Sequence, residues 1–422
     1  MNILLIAARD PSGRAMGRKI VLRTILSSLE SLGHVVTLAI VGPAEPGHGS
    51  SRLCGGSVEY LGRPGLFRIL LNVAAYYTRR KMSLNECLYF SPRVLEEIRR
   101  IAVDNRCELV VADMIRTALY AGSLGLPWVL DLDDLLSKRY ADMTAQRKPV
   151  EMILGYYGDY LPGRIRTLAS HIANIMLRKE SLIIGDRERT HAGEADAVCL
   201  VAEDEVNELS RRIGRPVYWM PMAVNIPSRD RVARSLDRPL SMVFTGGLDY
   251  QPNLDAIRYY LREIVPALDA AGLSPSPLGV IGFCPDSVRA ELATDRLRLL
   301  GYVDDLYSEM SKYQLFLAPI VSGTGIKTKV LEAMALGLPV LSTPEGVKGM
   351  KVSSGKECYV AGSPGEFARL MAHIDASPEE AARVGLGARR YVQENFSFDR
   401  LQEKWNDVLG SALRTFEESS KV

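Results

Sequence analysis

The chain has 422 residues, 47% hydrophobic and 24% charged, with a net charge of +2. That length exceeds one ordinary core and predicts two or three domains of a soluble globular protein. The charge is uneven: residues 1–100 hold 14 Lys and Arg against 7 Asp and Glu, the remainder 38 against 43. A basic N-terminal region suits nucleic acid, anionic lipid or a phosphorylated substrate, or is simply a solvated surface. Aromatic residues are few and not interleaved with the basic ones, so no nucleic-acid partner is expected. The six cysteines are scattered, without Cys-x-x-Cys pairs or histidines at zinc spacing. No metal or disulfide framework is expected, and a reducing cytosol fits.

In chain order, a strand Ile3–Ala8 leads into the loop Arg9–Gly17, a helix to about Leu32 and a strand Val35–Val41. The first of these is too short and lacks the positive leader of a signal peptide. Gly13, Arg14 and Gly17 offer a phosphate or acceptor loop, although the glycines do not make Gly-x-Gly-x-x-Gly. Arg14, Arg18 and Lys19 could touch a phosphate there or form a helix surface. The apolar stretch Leu66–Tyr77 is interrupted by Arg68 and falls short of the roughly 20 residues a membrane span needs. With Arg79, Arg80, Lys81 and, further on, Arg164, Arg166, Arg178 and Lys179, it could face anionic lipid headgroups.

Strands follow at Leu109–Ala112 and Trp128–Leu132, with helical patterns at Pro92–Val103 and Ile165–Ile184. Alternating strands and helices predict a parallel sheet covered on both faces. Asp131, Asp133 and Asp134 follow the strand at Trp128. They could bind a hard cation, contact acceptor hydroxyls or cap a turn. The reading adopted is Asp131 as an acceptor or catalytic contact, with no metal. His171 and His191 receive no role.

A second unit of the same kind begins at Ser241. Strand Met242–Thr245 enters Gly246-Gly247, a helix Asn253–Ala271 follows, then strands Leu278–Ile281, Leu297–Gly301, Leu315–Ala318 and Pro339–Ser342. A neutral residue ends the second strand of each unit, where a dinucleotide enzyme places an acid on the ribose. The tail Phe396–Glu418 is an amphipathic helix with Trp405 on its apolar side.

The stretch from Pro319 to Gly346 carries most chemistry. Ser322-Gly323-Thr324-Gly325 precedes Ile326-Lys327-Thr328-Lys329 and a helix through Glu332 that Gly337 and Pro339 close. Backbone donors and two lysines at a helix N-terminus make a seat for a diphosphate. Lys329 and Glu332, three apart, could equally be a surface ion pair.

This stretch resembles the donor-sugar motif of GT-B glycosyltransferases, in particular the large retaining family-4-like group. The resemblance continues in Phe244–Asn253, Gly301–Leu306 and Asn395–Phe398; it covers the C-terminal half well and the N-terminal half loosely. It implies two doubly wound Rossmann-like α/β domains facing a cleft. Residues 1–223 would form the acceptor-binding domain, 224–240 a linker and 241–395 the nucleotide-sugar domain, with 396–422 packing back toward the first. Glu332 would bind the nucleotide ribose. Gly246, Gly247, Asn253, Gly323, Thr324, Gly325, Lys327 and Lys329 would line the nucleotide-sugar site. Many relatives carry a second glutamate where this chain has Thr324, and a lysine after the Gly-Gly loop where it has Gln251, Pro252 and Asn253. In the subgroup that Ser322 to Lys329 resembles, Lys327 and Lys329 would replace that charge.

The function expected is transfer of a sugar from a nucleotide-sugar donor to a glycan or lipid-linked acceptor, with retention, in surface polysaccharide or glycolipid assembly. Lys327 and Lys329 would stabilise the departing diphosphate, and neither metal nor other cofactor is required. The expected location is cytoplasmic, at the inner face of an anionic membrane. A nucleotide-sugar 2-epimerase of the same fold and a catalytically silent binding subunit are the alternatives.

Overall fold

The computed structural model describes residues 1–12, 18–42, 55–145, 163–228, 239–323 and 325–421, and from 163 to 174 the backbone alone. Contacts divide the chain into two units, Met1–Met220 with Leu401–Val422, and Pro221–Arg400. Each is built on a parallel sheet.

Strands buried on both faces must be apolar throughout. Ile3 to Ala7 are all fully buried, and β1 (Asn2–Ala7) pairs in parallel with β2 (Val35–Ile40) and β4 (Leu109–Asp113). With β3 (Val58–Tyr60), β5 (Trp128–Asp131), β6 (Ala197–Leu200) and β7 (Tyr218–Trp219) the sheet runs 3-2-1-4-5-6-7. The second unit repeats the plan. Strands β8 (Met242–Thr245), β9 (Leu278–Ile281), β10 (Leu297–Gly301), β11 (Leu315–Ala318), β12 (Val340–Ser342) and β13 (Tyr359–Val360) run 10-9-8-11-12-13. Strand order reverses between β1 and β4, and between β8 and β11. Open sheets of this kind bind ligands outside the strand carboxyl ends at that reversal.

Several elements differ from the sequence expectation for identifiable reasons. The helix expected over 253–271 is two helices, Gln251–Tyr259 and Val265–Ala270, joined by a π-turn Tyr260–Ile264. Pro266 cannot donate into the ladder, so the hydrogen bonding shifts ahead of it. The helix expected to end at Ile184 continues as Gly163–Glu194. Its last turns carry Arg187 and His191, which reach the fully buried Glu86 at 3.0 and 2.7 Å. Glu86 also closes the capping box of the helix Leu84–Tyr89. Burial pushes its pKa up, but the bond from His191 and the charge of Arg187 outweigh this and hold it below the usual value. Strands β3, β6, β7 and β13 were not anticipated.

Of the linker expected over 224–240, residues 229–238 lie outside the described residues. The part before them is tied into the second unit: Val224 N–H donates to Phe396 O at 2.9 Å, and the Pro227 carbonyl accepts from Arg389 at 2.5 Å. Among the described residues no helix is long and apolar enough to cross a membrane. Cys87, Cys107, Cys199, Cys284 and Cys358 are free and buried.

The last helix, Phe398–Ser419, buries Leu401, Trp405, Val408, Leu409 and Ala412, the stripe of an amphipathic helix. The Tyr218 phenol donates to Ser411 Oγ at 2.7 Å, binding this helix to the edge strand β7. Trp405 is fully buried. Trp405→Ala is therefore expected to lower the unfolding free energy by about 3–5 kcal/mol, read by denaturant titration. A loss below about 1 kcal/mol would contradict the burial of this stripe.

Candidate functional site

The carboxyl ends of β8, β9 and β11 meet in one place. Gly246 and Gly282 have φ of 144° and 141°, conformations that side chains rarely tolerate. They also touch: a Cβ on Gly282 would stand 2.6 Å from the carbonyl of Gly246. Hydrogen bonds lock the two turns together, Gly246 N–H to Ile281 O at 2.8 Å and Leu248 N–H to Phe283 O at 2.7 Å. Asn253 stands at the start of the following helix, and its amide donates to the Gly247 carbonyl at 2.7 Å.

Into this corner comes Lys329 from the first turn of the helix Thr328–Ala335. Its ammonium donates to Asn253 Oδ1 and lies 4.5 Å from the centroid of the Phe244 ring. A Cβ on Gly246 would fall 2.5 Å from Lys329 Nζ, so the glycine is what admits the lysine. The bonded partner is thus an amide and not Glu332, and the ion-pair reading of Lys329 and Glu332 does not describe the contact. Burial pushes Lys329 down to about 7, Glu332 drawing it partly back. Burial likewise pushes Glu332 up to about 7, against the nearby charge of Lys329. Glu332 in turn adds to burial in raising the Tyr307 phenol, which brings the segment after Gly301–Leu306 to the same place.

Lys327 goes elsewhere. It is the N-cap residue, and no side chain caps the helix. Its ammonium donates to Gly325 O at 2.7 Å and stands 3.8 Å from Glu345, in the turn after β12. Burial lowers its pKa, with Glu345 partly restoring it. The two lysines therefore diverge over the neighbours of β11, one toward β8 and one toward β12. Gly323 and Gly325, with φ of 125° and 70°, shape the intervening loop. Thr324 lies outside the described residues.

Two residues here were not anticipated. Phe283 after β9 and Tyr302 after β10 stack with ring centroids 6.3 Å apart, and both are exposed. An exposed aromatic face offers a flat ring a stacking surface. They are 19 positions apart on different strands, so only adjacency of β9 and β10 reveals the pair.

In the first unit, Gly13, Arg14 and Gly17 lie outside the described residues. Arg18 is buried at the ends of β4 and β5 and meets Asp113 at 2.7 Å, Asp131 at 2.5 Å and Asp133 at 2.8 Å. The three carboxylates raise its proton affinity despite the opposing effect of burial. Burial raises Asp131, with Arg18 opposing. Both Asp131 oxygens are engaged, Oδ2 by Arg18 and Oδ1 by the Asp133 N–H at 3.1 Å. Asp133, with a quarter of its side chain accessible, is the member that reaches solvent. Lys19 Nζ donates to Ser12 O at 3.3 Å. Among the described residues no three His, Cys, Asp or Glu are grouped to hold a metal ion.

Gly246→Ala tests the corner directly. Its Cβ must displace Lys329 and Asn253 from a backbone that alanine already finds strained, and a loss of about 1–3 kcal/mol in stability is expected. A crystal structure of the variant should show the Lys329–Asn253 bond broken; an intact bond with unchanged stability would contradict the geometry.

Residues 239–375, which contain this corner, match the family model described as glycosyl transferases group 1. The chain is 21% identical over 414 residues to a 44.6 kDa protein of the cps region of Klebsiella pneumoniae, covering 94% of this chain and 96% of the relative. Among solved structures it superposes on HepE of Anabaena in complex with UDP with a TM-score of 0.63 at 13% identity, covering 97% of this chain and all of HepE. Sucrose-phosphate synthase of Thermosynechococcus elongatus gives 0.64 at 18%, covering 98% and 99%. WaaG, a glycosyltransferase involved in lipopolysaccharide biosynthesis, gives 0.56 at 13%, covering 97% and 100%. The chain has the GT-B fold of two parallel-sheet α/β domains, and its residues 239–375 match the model of the glycosyl transferases group 1 family.

Proposed function

We propose that the protein transfers a sugar from a nucleoside-diphosphate donor to a glycan or lipid-linked acceptor, with retention, in surface polysaccharide or glycolipid assembly at the inner face of a membrane. One observation carries this reading: a half-buried lysine that among the described residues is bonded to an amide and not to a carboxylate, beside a helix start without a side-chain cap and a glycine corner, at the strand-order reversal of the second unit. Solved neighbours add support, since HepE is seen with UDP and with UDP-glucose and WaaB is a lipopolysaccharide outer core galactosyltransferase.

In this reading the diphosphate lies against Lys329, the Gly246–Gly247 turn and the first turn of the helix Thr328–Ala335, with Gly323, Thr324 and Gly325 around it. Glu332 accepts from the ribose hydroxyls, Asn253 orients Lys329, and the base stacks on Phe283 and Tyr302. The bond from the sugar anomeric carbon to the phosphate oxygen breaks, and its electron pair stays on the diphosphate. Lys329, with Lys327 behind it, stabilises that growing charge. The acceptor oxygen bonds the anomeric carbon from the same face and passes its proton to the departing phosphate. The Gly13–Gly17 loop, including Arg14, contributes to phosphate or acceptor binding. Asp131 acts on the acceptor side through Arg18 by holding Asp133.

Two lysines and a helix terminus can carry the diphosphate charge, so turnover is expected to survive EDTA. Loss of transfer restored by manganese would replace them with a metal. Incubation with a panel of radiolabelled nucleotide sugars separates transfer from epimerisation and from silent binding.

The lysine and the glutamate should fail differently. Charge on the leaving group grows in the transition state while the ribose changes little, so Lys329→Ala is expected to cut turnover by about 10²–10³. Glu332→Ala is expected to weaken donor binding at least about tenfold, having lost a charge-assisted hydrogen bond. Normal rates and affinities in both folded variants would remove the corner from the mechanism.

A further inference from the structure

The first unit carries an outward apolar and cationic surface that the chemistry above does not use. The helix Leu66–Asn72 and the π-turn Val73–Tyr77 that continues it belong to a stretch, residues 61–85, with five Lys and Arg and no Asp or Glu. Asn72 is fully buried, and its amide donates to the Cys87 and Phe90 carbonyls at 3.0 and 2.9 Å. Those two bonds pin one side of the helix to the body. At about 100° per residue, Leu66, Phe67, Leu70 and Leu71 fall on the opposite side. They are 72, 76, 58 and 43% exposed. A soluble protein rarely leaves four large neighbouring hydrophobes so open without use.

A second strip lies beside the first. Ile175, Arg178, Lys179 and Leu182 occupy one face of the helix Gly163–Glu194, at spacings of three and four, and all four are exposed. Leu177, Glu180, Ile183 and Ile184 of the same helix face inward. The strips are joined: Lys179 Nζ sits 5.2 Å from the centroid of the Tyr77 ring, and Glu180 accepts from the Leu84 N–H at 2.8 Å. Arg79, Arg80 and Lys81, all exposed, follow directly.

We propose that this surface docks the protein on an anionic lipid bilayer. Leu66, Phe67, Leu70 and Leu71 would enter the acyl boundary, and Arg79, Arg80, Lys81, Arg178 and Lys179 would meet the headgroup phosphates. Charge selects the occupant: an apolar face set in cations without nearby acids in the 61–85 stretch matches an anionic interface rather than a second copy of itself. The inference deepens the proposed reading of a membrane-side acceptor and rests on it for its purpose, but not for its test.

That test is co-sedimentation of the full chain with vesicles, without nucleotide or acceptor. Binding is expected to vesicles containing phosphatidylglycerol, to fall at least about tenfold on pure phosphatidylcholine, and to weaken with salt. L66S/F67S/L70S and R79E/R80E/K81E should each lose at least about tenfold in the partition coefficient while keeping the wild-type circular dichroism spectrum and thermal midpoint. Absence of vesicle binding by the wild-type chain, or folded variants that bind as it does, would overturn the proposal. So would a concentration-dependent dimer abolished by the Ser substitutions, which would assign the face to a second copy. Failure here leaves glycosyl transfer standing, and failure of transfer leaves vesicle binding standing.

Discussion

A half-buried lysine ammonium that, among the described residues, is bonded to an amide and not to a carboxylate is the constraint on which the second unit turns. Desolvation opposes the charge, and the nearby Glu332 carboxylate restores it only in part. That balance pushes Lys329 down to about 7. The arrangement requires two glycines: Gly246 admits the ammonium, and Gly282 admits the backbone of Gly246. The Phe244 ring beneath the lysine is stacked on Phe316 at 6.5 Å, so the cation is referenced to β8 and β11, the two strands at the order reversal. A polyanion arriving there would meet a site whose cost of assembly has been met by folding.

The first unit has the same sheet plan and the opposite electrostatic solution. Arg18 lies buried at the ends of the central strands, where three aspartates surround it. Its cation is satisfied internally, and the cluster as a whole is acidic. The backbone there is strained, with Met114 and Asp133 at φ of 66° and 65°. Such strain persists only where neighbours enforce it, and here the Met114 N–H is fixed on the Asp131 carbonyl at 2.7 Å. Two similar sheets thus present unlike ends: one an internally neutralised arginine with an acidic rim, the other a lysine set on an amide and a ring face.

Much of this was legible in the sequence, because the signals were local. Continuous apolar runs of four to six residues marked the central strands, and Gly337 with Pro339 marked the end of the helix carrying Lys329 and Glu332. The edge strands β7 and β13, of two residues each, carry too little pattern to read. The site's internal contacts were illegible for a different reason. Lys329 and Asn253 are 76 positions apart, and nothing local says that the lysine turns toward Gly246 while Lys327, two residues earlier, turns toward Glu345. Their opposed directions follow from the helix start, which points successive side chains to different neighbours of β11. Asp131 was recognised as chemically charged ground, but its engagement by Arg18, 113 positions away, could not be.

The proposed role of Lys329 as the seat of the donor diphosphate is tested most directly by proton linkage. A group lowered to about 7 is mostly neutral at about pH 8, whereas a bound diphosphate would restore its charge. The diphosphate of UDP is already fully ionised there, and Glu332 is already mostly a carboxylate. Calorimetric titration with UDP at about pH 8, in buffers of different ionisation enthalpy, should show uptake approaching about one proton per UDP bound, and Lys329→Met should abolish that uptake. Binding without proton uptake, or uptake unchanged in the Lys329→Met variant, would contradict the account.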